Sequence, residues 1–312
     1  MRPDGYINTD GKPITLAELK GKKVVLLDVW TYSCINCQRT LPYVTAWYNK
    51  YKDQGLEIIG LHTPEFSFEK VKKNVEDAMK RFGIKYPVVL DNEYATWNAY
   101  GNQYWPRKYL IDVDGYIVYD HIGEGNYDET EAAIQKALEE RNTRLQTNIE
   151  VTRGMAEPVG VAAVNASKVG SPEVYFGSDR NKYLANGTQG KEGSQMFVLP
   201  PILKANQLYL NGAWSITPEY STASAGNSIS FKYSAKEVYM VASGDATTEV
   251  TILLDGKPAG AQAGVDINST TSIGAITQER LYKLIKGNDY GEHTIEIKVN
   301  KGKLKAFTFT FG

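Results

Sequence analysis

The sequence predicts two domains of different class. An α/β domain with a central mixed sheet flanked by helices is expected over residues 1–145, and an all-β jelly-roll sandwich over residues 171–312. A chain of 312 residues is long enough for about two ordinary domains. Strand-like and helix-like segments alternate in its first part, whereas short strand-like runs fill its last part. Residues 146–170 are polar, small and weakly patterned, as in a linker or a wrapping segment.

Hydrophobic patterning defines the elements of the first domain in order. Short apolar runs are typical of buried strands, and apolar residues at helical spacing are typical of amphipathic helices. The strands are predicted at Val24–Trp30, Leu56–Leu61, Tyr86–Leu90, Lys108–Asp112 and Tyr116–Asp120. The helices are predicted at Gln38–Tyr51, at Phe68–Phe82 and in a final segment that Asp128 caps.

The second domain shows alternating runs bounded mostly by Gly, Asn, Asp or Ser. Such runs, with hardly any helical pattern among them, are typical of an antiparallel sandwich. The strands are predicted at Gln207–Ile216, Ser228–Tyr233, Glu237–Val241, Glu249–Leu254, Arg280–Ile285, His293–Val299 and Leu304–Phe311.

Composition excludes several classes of function. Lys and Arg number 35 and Asp and Glu 36, so the net charge of −1 argues against a nucleic-acid binder or a polybasic membrane-surface protein. No apolar segment approaches the roughly 20 residues that a membrane span needs, and no apolar signal-peptide core is present at the N-terminus. If the natural protein is exported or tethered, we expect this chain to be a trimmed piece of it.

The cysteine count points to redox chemistry. The two cysteines are Cys34 and Cys37, and the three histidines are His62, His121 and His293. Two cysteines do not build a disulfide framework, and the histidines lack metal-ligand spacing to them or to one another. We therefore predict no metal and no cofactor other than a redox-active Cys34–Cys37 disulfide.

Cys34 and Cys37 lie where a predicted strand gives way to a predicted helix. A cysteine at a helix N-terminus faces unpaired N–H groups and the positive end of the helix dipole, which favour the attacking thiolate. The spacing places the second sulfur one turn away. We assign Cys34 as the nucleophile and Cys37 as the resolving thiol. The alternative is a plain bridge or a pair of buried thiols, although so short a loop gains little stability from a bridge.

Residues 5–145 resemble the thioredoxin superfamily. The helix predicted at Phe68–Phe82, with Tyr86-Pro-Val-Val-Leu-Asp91 after it, is similar to the TlpA and ResA subgroup. The cysteine motif, His62-Thr-Pro-Glu-Phe66 and a trailing β-domain together resemble the soluble C-terminal part of DipZ-type proteins. In that family a CcdA-like membrane domain precedes the thioredoxin-like domain. The residues that carry the resemblance are Asp28, Trp30, Trp30-Thr-Tyr-Ser-Cys-Ile-Asn-Cys37, Pro42, His62-Thr-Pro-Glu-Phe66, Tyr86-Pro-Val-Val-Leu-Asp91 and Trp105-Pro106.

The resemblance implies roles for residues around the cysteines. Asp28 matches the buried carboxylate that takes the proton from Cys37; the alternative is a solvated Asp at a strand end. Pro106 matches a cis-proline that faces the active site and leaves backbone exposed for substrate pairing; the alternative is an ordinary trans proline. Glu65 aligns with an acidic residue that tunes the thiols, or is a surface Glu.

Aromatic residues near the motif have two interpretations. Trp30, Tyr32 and Trp105 form an apolar rim for a partner, or they are core or semi-exposed aromatics. His62 is expected to satisfy a local hydrogen bond. The dipeptide Ile35-Asn36 differs from that of thioredoxin and of DsbA, and reduction potentials in this superfamily span about −270 to −120 mV, so the redox direction is left open by the motif.

The second domain ends with Tyr290-Gly-Glu-His-Thr-Ile295 and Ala306-Phe-Thr-Phe-Thr-Phe311. These runs resemble the last strands of carbohydrate-binding-module or galactose-binding-like sandwiches. Exposed aromatic rings on a sheet face stack on sugars, and the candidates are Tyr209, Trp214 and Tyr220. The alternative is that these rings are core and that the domain is a spacer or docking surface.

Together these features predict a thiol:disulfide oxidoreductase. We expect it to reduce protein disulfides outside the cytoplasm, periplasmic or at the outer face of the membrane, with electrons from a CcdA-like membrane partner and no nucleic acid involved. One alternative is a disulfide oxidase or isomerase with the same thiols. Another is a glycan-binding or scaffold protein with a vestigial thioredoxin domain.

Overall fold

The computed structural model describes residues 5–162 and 164–312. The first four residues of the predicted domain 1–145 therefore lie outside the described part. The chain forms two compact units that divide between residues 163 and 164.

The first unit is a mixed sheet with helices, the class that the sequence predicts. Its described strands are β1 (Gly5–Ile7), β2 (Val24–Trp30), β3 (Leu56–His62), β4 (Val88–Leu90), β5 (Arg107–Ile111) and β6 (Ile117–Ile122). Its described helices are α1 (Leu16–Leu19), α2 (Ile35–Tyr51), α3 (Lys72–Phe82), α4 (Ala95–Ala99) and α5 (Tyr127–Leu145). The sheet order is β1-β4-β3-β2-β5-β6, with β2, β3 and β4 parallel and the other pairings antiparallel.

Strand β2 lies in the middle of this sheet, and all seven of its residues are buried. Because side chains alternate along a strand, its two faces carry different chemistry. Val25, Leu27 and Val29 pack in an apolar cluster with Trp97 on one face. Asp28 therefore points to the opposite face, where α2 begins.

Three predicted helix boundaries are wrong, and one of them is the start of α2, which lies at Ile35 rather than at Gln38. Phe68 belongs to a 3-10 turn at Ser67–Lys70, and α3 starts only at Lys72, because Val71 has an extended backbone that interrupts the helix. Helix α5 is capped by Asn126 in a left-handed conformation, with no side-chain cap bond. Asp128 lies inside its first turn instead.

The segment predicted as a linker divides between the two units. Its first part contacts the first unit, and its last part contacts the second. The Tyr51 hydroxyl and the Lys50 ammonium of α2 reach the carbonyl oxygens of Thr152 and Gly154, at 3.5 and 2.6 Å. Further along, the Asn165 N–H donates to the Tyr290 hydroxyl at 2.7 Å. Residues 149–156 thus wrap the first unit, and residues 165–170 belong to the second.

The second unit is all-β, as predicted. Its described strands are β7 (Val174–Tyr175), β8 (Gly193–Phe197), β9 (Leu208–Ile216), β10 (Ser221–Ser224), β11 (Ser228–Gly244), β12 (Glu249–Leu254), β13 (Lys257–Pro258), β14 (Ile273–Ala275), β15 (Arg280–Lys301) and β16 (Lys303–Phe311). Eight of these strands pair along the path β13-β12-β15-β11-β16-β10-β9-β8, and β11 also pairs with β9. Off this path, β14 pairs with β12 and β7 pairs with β16. One apolar cluster, which includes Phe231, Ile297 and Phe309, forms the core.

Two pairs of predicted strands are single long strands. The runs at Ser228–Tyr233 and Glu237–Val241 are both part of β11, and those at Arg280–Ile285 and His293–Val299 are both part of β15. The register between β11 and β15 shifts at Ala235/Glu237. Such an irregularity lets a strand bend without ending, so polar residues that resemble a turn remain in the ladder.

Among the described helices, none combines the length and apolar character needed to cross a bilayer.

Candidate active site

Cys34 is the N-cap of α2, and its thiol is the more accessible of the two. The Cys37 N–H donates to the Cys34 Sγ at 3.3 Å, so the sulfur itself caps the helix. Cys34 is half-buried and Cys37 is buried, and both thiols are free. Burial raises the pKa of the Cys37 thiol well above its usual value, and the hydrogen bond and charge of Cys34 raise it further. The arrangement separates an accessible, helix-capping sulfur from a shielded one that stays protonated.

The backbone before Pro106 faces the outer sulfur. The Trp105–Pro106 peptide bond is cis, and the Trp105 carbonyl oxygen lies 4.0 Å from the Cys34 Sγ. The Trp105 indole N–H donates to the Thr63 carbonyl at 3.0 Å, and its ring packs on Trp97 with centroids 4.2 Å apart. This wall of the site is therefore held by side-chain contacts as well as by the sheet.

Asp28 is a buried carboxylic acid beside the inner sulfur. Its side chain is 1% exposed, and its Oδ1 has no hydrogen-bond partner among the described residues. Burial raises the pKa of Asp28 to about 6, and the positive charge of Lys108 opposes that rise. The charge of Asp28 in turn contributes to the raised pKa of Cys37. A carboxyl group of this kind takes up and releases a proton near neutral pH.

The comparisons with known proteins agree with this geometry. A family model described as Redoxin matches residues 3–138, and one described as Thioredoxin like C-terminal domain matches residues 171–312. The thiol-disulfide oxidoreductase ResA of Bacillus anthracis is 35% identical over 133 residues, which are 42% of this chain and 73% of ResA. The chain belongs to the thioredoxin-like thiol-disulfide oxidoreductase family.

A second relative of this family matches nearly the whole chain. Protein DipZ of Mycobacterium tuberculosis is 39% identical over 310 residues, which are 99% of this chain and 41% of DipZ. The chain thus spans less than half the length of that relative. The crystal structure of a thiol-disulfide isomerase from Corynebacterium glutamicum is 22% identical in sequence to this chain. The match covers 44% of this chain and 93% of the isomerase chain, with a TM-score of 0.41.

The aromatic residues next to the motif are core rather than rim, except Trp105. Trp30 and Tyr32 are 0% and 2% exposed. They pack on either side of His62, with ring centroids 5.1 and 5.8 Å away. Burial lowers the pKa of His62 to about 3, and its Nε2 lies 3.5 Å from the Thr31 hydroxyl. His62 is therefore a neutral core residue, and an apolar rim at Trp30 and Tyr32 is the wrong interpretation.

Glu65 is half-buried in the loop that follows β3. Its backbone N–H donates to the Glu69 carboxylate at 2.6 Å. Its negative charge contributes to raising the pKa of Glu69, for which burial is the larger cause. The loop thus brings two acidic residues together beside the segment that precedes Cys34.

Lys108 is a site residue that the sequence analysis missed. It lies opposite Asp28 in the antiparallel β2–β5 register and is 0% exposed. Its ammonium donates to the Gly123 carbonyl at 3.1 Å, and burial lowers its pKa while the charge of Asp28 opposes that effect. The available signal was a lysine directly before the apolar residues Tyr109, Leu110 and Ile111 of β5, since a buried charge needs an opposite charge nearby.

Gly60 and Tyr86 complete the surroundings of Asp28, and both were also missed. Gly60 pairs with Asp28 in the parallel β2–β3 register. A Cβ at Gly60 would lie 2.9 Å from the Trp30 Nε1 and 3.1 Å from the Tyr86 ring, so glycine is required there. Burial raises the pKa of Tyr86 well above its usual value, and the Tyr86 hydroxyl has no partner among the described residues.

The aromatic candidates of the second unit are not exposed platforms. Trp214 is 1% exposed and belongs to the apolar core, and Tyr209 is 4% exposed, with its hydroxyl accepting from the Lys204 N–H at 3.1 Å. The expectation that these two rings stack on sugars is wrong, because their faces are covered. Tyr220 is half-buried and packs on Phe307.

Within residues 5–162 and 164–312, no group of three or more His, Cys, Asp or Glu side chains is arranged to hold a metal ion.

Proposed function

We propose that this chain is a thiol:disulfide oxidoreductase that reduces protein disulfides. The observation that carries the proposal is the pair of sulfurs at the start of α2, with the half-buried Cys34 capping the helix and the buried Cys37 one turn behind it. Membership of the thioredoxin-like family supports the same activity.

The first step uses Cys34. Its thiolate attacks one sulfur of the substrate disulfide, which forms a mixed disulfide and releases the other substrate sulfur as a thiolate that takes up a proton. The N–H groups at the start of α2 stabilise the negative sulfur. In this proposal the backbone at Trp105–Pro106, 4.0 Å from the Cys34 Sγ, pairs with the substrate chain.

The second step uses Cys37 and Asp28. Asp28 removes the proton from Cys37, whose thiolate attacks the Cys34 sulfur, forms the Cys34–Cys37 disulfide and releases the second substrate thiol. The substrate gains two electrons and two protons, and the chain loses them. A carboxyl group whose pKa is raised to about 6 is suited to this transfer at neutral pH.

The electron source and location rest on the resemblance to DipZ-type proteins. We propose a CcdA-like membrane donor that returns electrons to the Cys34–Cys37 disulfide, and an extracytoplasmic site of action. The reducing direction follows from that donor. Equilibration with glutathione buffers measures the direction independently, because a potential near that of DsbA would support the oxidase or isomerase alternative instead.

Two cysteine variants test the activity. With insulin as substrate and a dithiol as donor, Cys34→Ser is expected to lose turnover completely. Cys37→Ser is expected to form a mixed disulfide that it does not resolve by itself, so each further turnover waits for release by the dithiol. Retained insulin reduction in Cys34→Ser would overturn the proposal.

For the second unit we propose a jelly-roll-like, carbohydrate-binding-module-like domain. Its antiparallel pairing and its long bent strands support the architecture. The candidate ligand site is an open cavity of about 780 Å³, lined by polar residues such as Gln189 and Gln207 and by apolar residues such as Leu199 and Ile202. We place a glycan there. A glycan array with the full chain tests this: binding that Gln207→Ala abolishes would support it, and no binding to any glycan would leave a spacer or docking role.

A further inference from the structure

Glu69 is a buried carboxylate that joins two loops of the site. It lies in the turn at Ser67–Lys70 and is 0% exposed. Its Oε1 accepts from the Ser33 N–H at 3.2 Å and from the Ser33 hydroxyl at 2.7 Å. Its Oε2 accepts from the N–H groups of Glu65 and Phe66 at 2.6 and 3.0 Å.

One of the joined loops ends at the nucleophile. Ser33 immediately precedes Cys34, the N-cap of α2, so the bonds from Ser33 to Glu69 fix the backbone that delivers the sulfur. The Thr31 side chain donates to the same carboxylate. The connection between β2 and α2 is thus anchored to the Glu69 carboxylate through Thr31 and Ser33.

The other joined loop holds the opposite wall of the site. Residues 63–66 follow β3, and the Thr63 carbonyl accepts from the Trp105 indole N–H. The backbone carbonyl of Trp105 faces the Cys34 Sγ. The Tyr94 hydroxyl donates to the Pro64 carbonyl in the same loop. Glu69 therefore connects the segment that carries Cys34 to the loop against which Trp105 is held.

We propose that Glu69 is a positioning residue for thiol exchange, which sets the separation between Cys34 and the Trp105 wall by binding both loops at once. This inference rests on the proposed function. Glu69 touches neither sulfur among the contacts described, so it acts through Ser33 and through the loop of Glu65.

The chemistry of the contacts explains why a carboxylate is needed. The hydrogen bonds to its two oxygens, from Ser33, Glu65 and Phe66 and from the Thr31 side chain, all come from N–H or O–H donors. An ionised carboxylate is the side chain that accepts on both of its terminal atoms. A glutamine carboxamide has the same length, but its NH₂ group would face the backbone N–H donors of one of the two loops. The Glu69→Gln variant therefore keeps the volume and breaks about half of the connection.

Glu131 supplies a matched control. It is another buried glutamate of the first unit, 2% exposed, and its carboxylate accepts from the Trp47 indole, the Tyr51 hydroxyl and the Ala156 N–H. It lies at the other end of α2 from Cys34. Glu131→Gln disturbs a comparable cluster of donors without touching either active-site loop.

The experiment compares insulin-reduction kinetics and thermal midpoints of the wild type, Glu69→Gln and Glu131→Gln. Because small displacements of reacting groups cost large factors in rate, Glu69→Gln is expected to lower kcat about tenfold or more. Its KM should stay within about twofold, since the loss lies in the orientation of the sulfur. Glu131→Gln is expected to lower the thermal midpoint and to keep the wild-type kcat.

A second variant guards against poor folding of Glu69→Gln. Ser33→Ala removes one donor and buries no new polar group, and it is expected to lower kcat in the same direction by a smaller factor. Wild-type kcat in both Glu69→Gln and Ser33→Ala, or an equal loss of kcat in Glu131→Gln, would overturn the inference. A wild-type protein without any thiol exchange would instead overturn the proposed function.

Discussion

Helix α2 has a buried carboxylic acid near each end, and the two groups are built in opposite ways. At its start, Asp28 lies beside Cys37 with an oxygen that has no partner among the described residues. At its end, Glu131 accepts from Trp47 and Tyr51 and pairs with a lysine. Both side chains are nearly inaccessible to solvent, so burial alone does not explain the difference.

The difference lies in hydrogen bonding, and it sets the two pKa values. Burial raises the pKa of Asp28 to about 6, and only the charge of Lys108 opposes the rise. Burial also acts to raise the pKa of Glu131, but the bonds from Tyr51, Ala156 and Lys50 outweigh it and leave the value lowered. A fully bonded buried carboxylate stabilises the fold, whereas an incompletely bonded one is available for proton transfer.

The largest effect is expected for Asp28→Asn, which should slow thiol exchange and stabilise the folded protein at the same time. Without its base, release of the mixed disulfide by Cys37 should slow by about 10²-fold at neutral pH. Wild-type release should accelerate as the pH rises through about 6, where Asp28 ionises, and the variant should lack that rise. Stopped-flow measurement of the release step checks both, and a variant with the wild-type profile would show that Asp28 is not the base.

The same variant should change stability with a definite sign. The folded protein binds a proton on Asp28 between the unfolded pKa of 3.8 and the folded pKa of about 6. The free energy of unfolding therefore falls as the pH rises through that window, by about 3 kcal/mol in total. The free energy of unfolding of Asp28→Asn does not fall in this way. The variant should therefore be more stable than the wild type at neutral pH, by up to about 3 kcal/mol. Urea unfolding at acidic and neutral pH measures the difference.

Glu131→Gln should do the reverse at the other end of α2. It leaves the Lys50 ammonium and at least one buried donor without a charged partner, so it should destabilise by about 3 kcal/mol. Because the folded pKa of Glu131 is lowered, its contribution is present above the unfolded pKa and is lost as the pH falls through the folded pKa. Its insulin-reduction rate should match the wild type, and a rate loss comparable to that of Asp28→Asn would remove the contrast between the two ends.

The smallest expected effect is that of Lys108→Met, which changes the charge next to Asp28 and leaves the acid in place. Without the ammonium the pKa of Asp28 should move above about 6, so the pH profile of mixed-disulfide release should move to higher pH. If that pKa rises by about one, release at a pH below the new value slows up to about tenfold. Lys50→Met is the matched control, since it removes the lysine at the Glu131 end and should leave the profile unmoved. Identical profiles for Lys108→Met and the wild type would contradict the role of Lys108.

The sequence predicts the local parts of this site well. The apolar run at Val24–Trp30 is a strand with those bounds, and the helix predicted at Gln38–Tyr51 ends at Tyr51 but starts earlier, at Ile35. Patterns of this kind depend on residues close together in the chain, so one sequence is enough to show them. The mixed sheet and the all-β second unit are confirmed for the same reason.

The partners that tune the site depend on distant pairing, and the sequence does not show them. Lys108 faces Asp28 only because β5 pairs antiparallel with β2 in one register, 80 positions further along the chain. Glu69 reaches Ser33 because a turn interrupts what looked like one helix. The prediction of two strands in place of β11 is wrong for a related reason, since the register with β15 shifts at Ala235/Glu237 and the strand continues past turn-like residues that suggest an end.

The measurement that tests the central claim most directly is equilibration of the chain with glutathione buffers of increasing oxidation, followed by quantification of free thiols at Cys34 and Cys37. We expect both thiols to disappear together in one two-electron transition, with a midpoint in the range of about −270 to −120 mV that thioredoxin-like proteins span. Cys34 that accumulates as a glutathione adduct while Cys37 stays free, or a pair that resists oxidation across all buffers, would contradict the assignment of these two sulfurs as a redox pair.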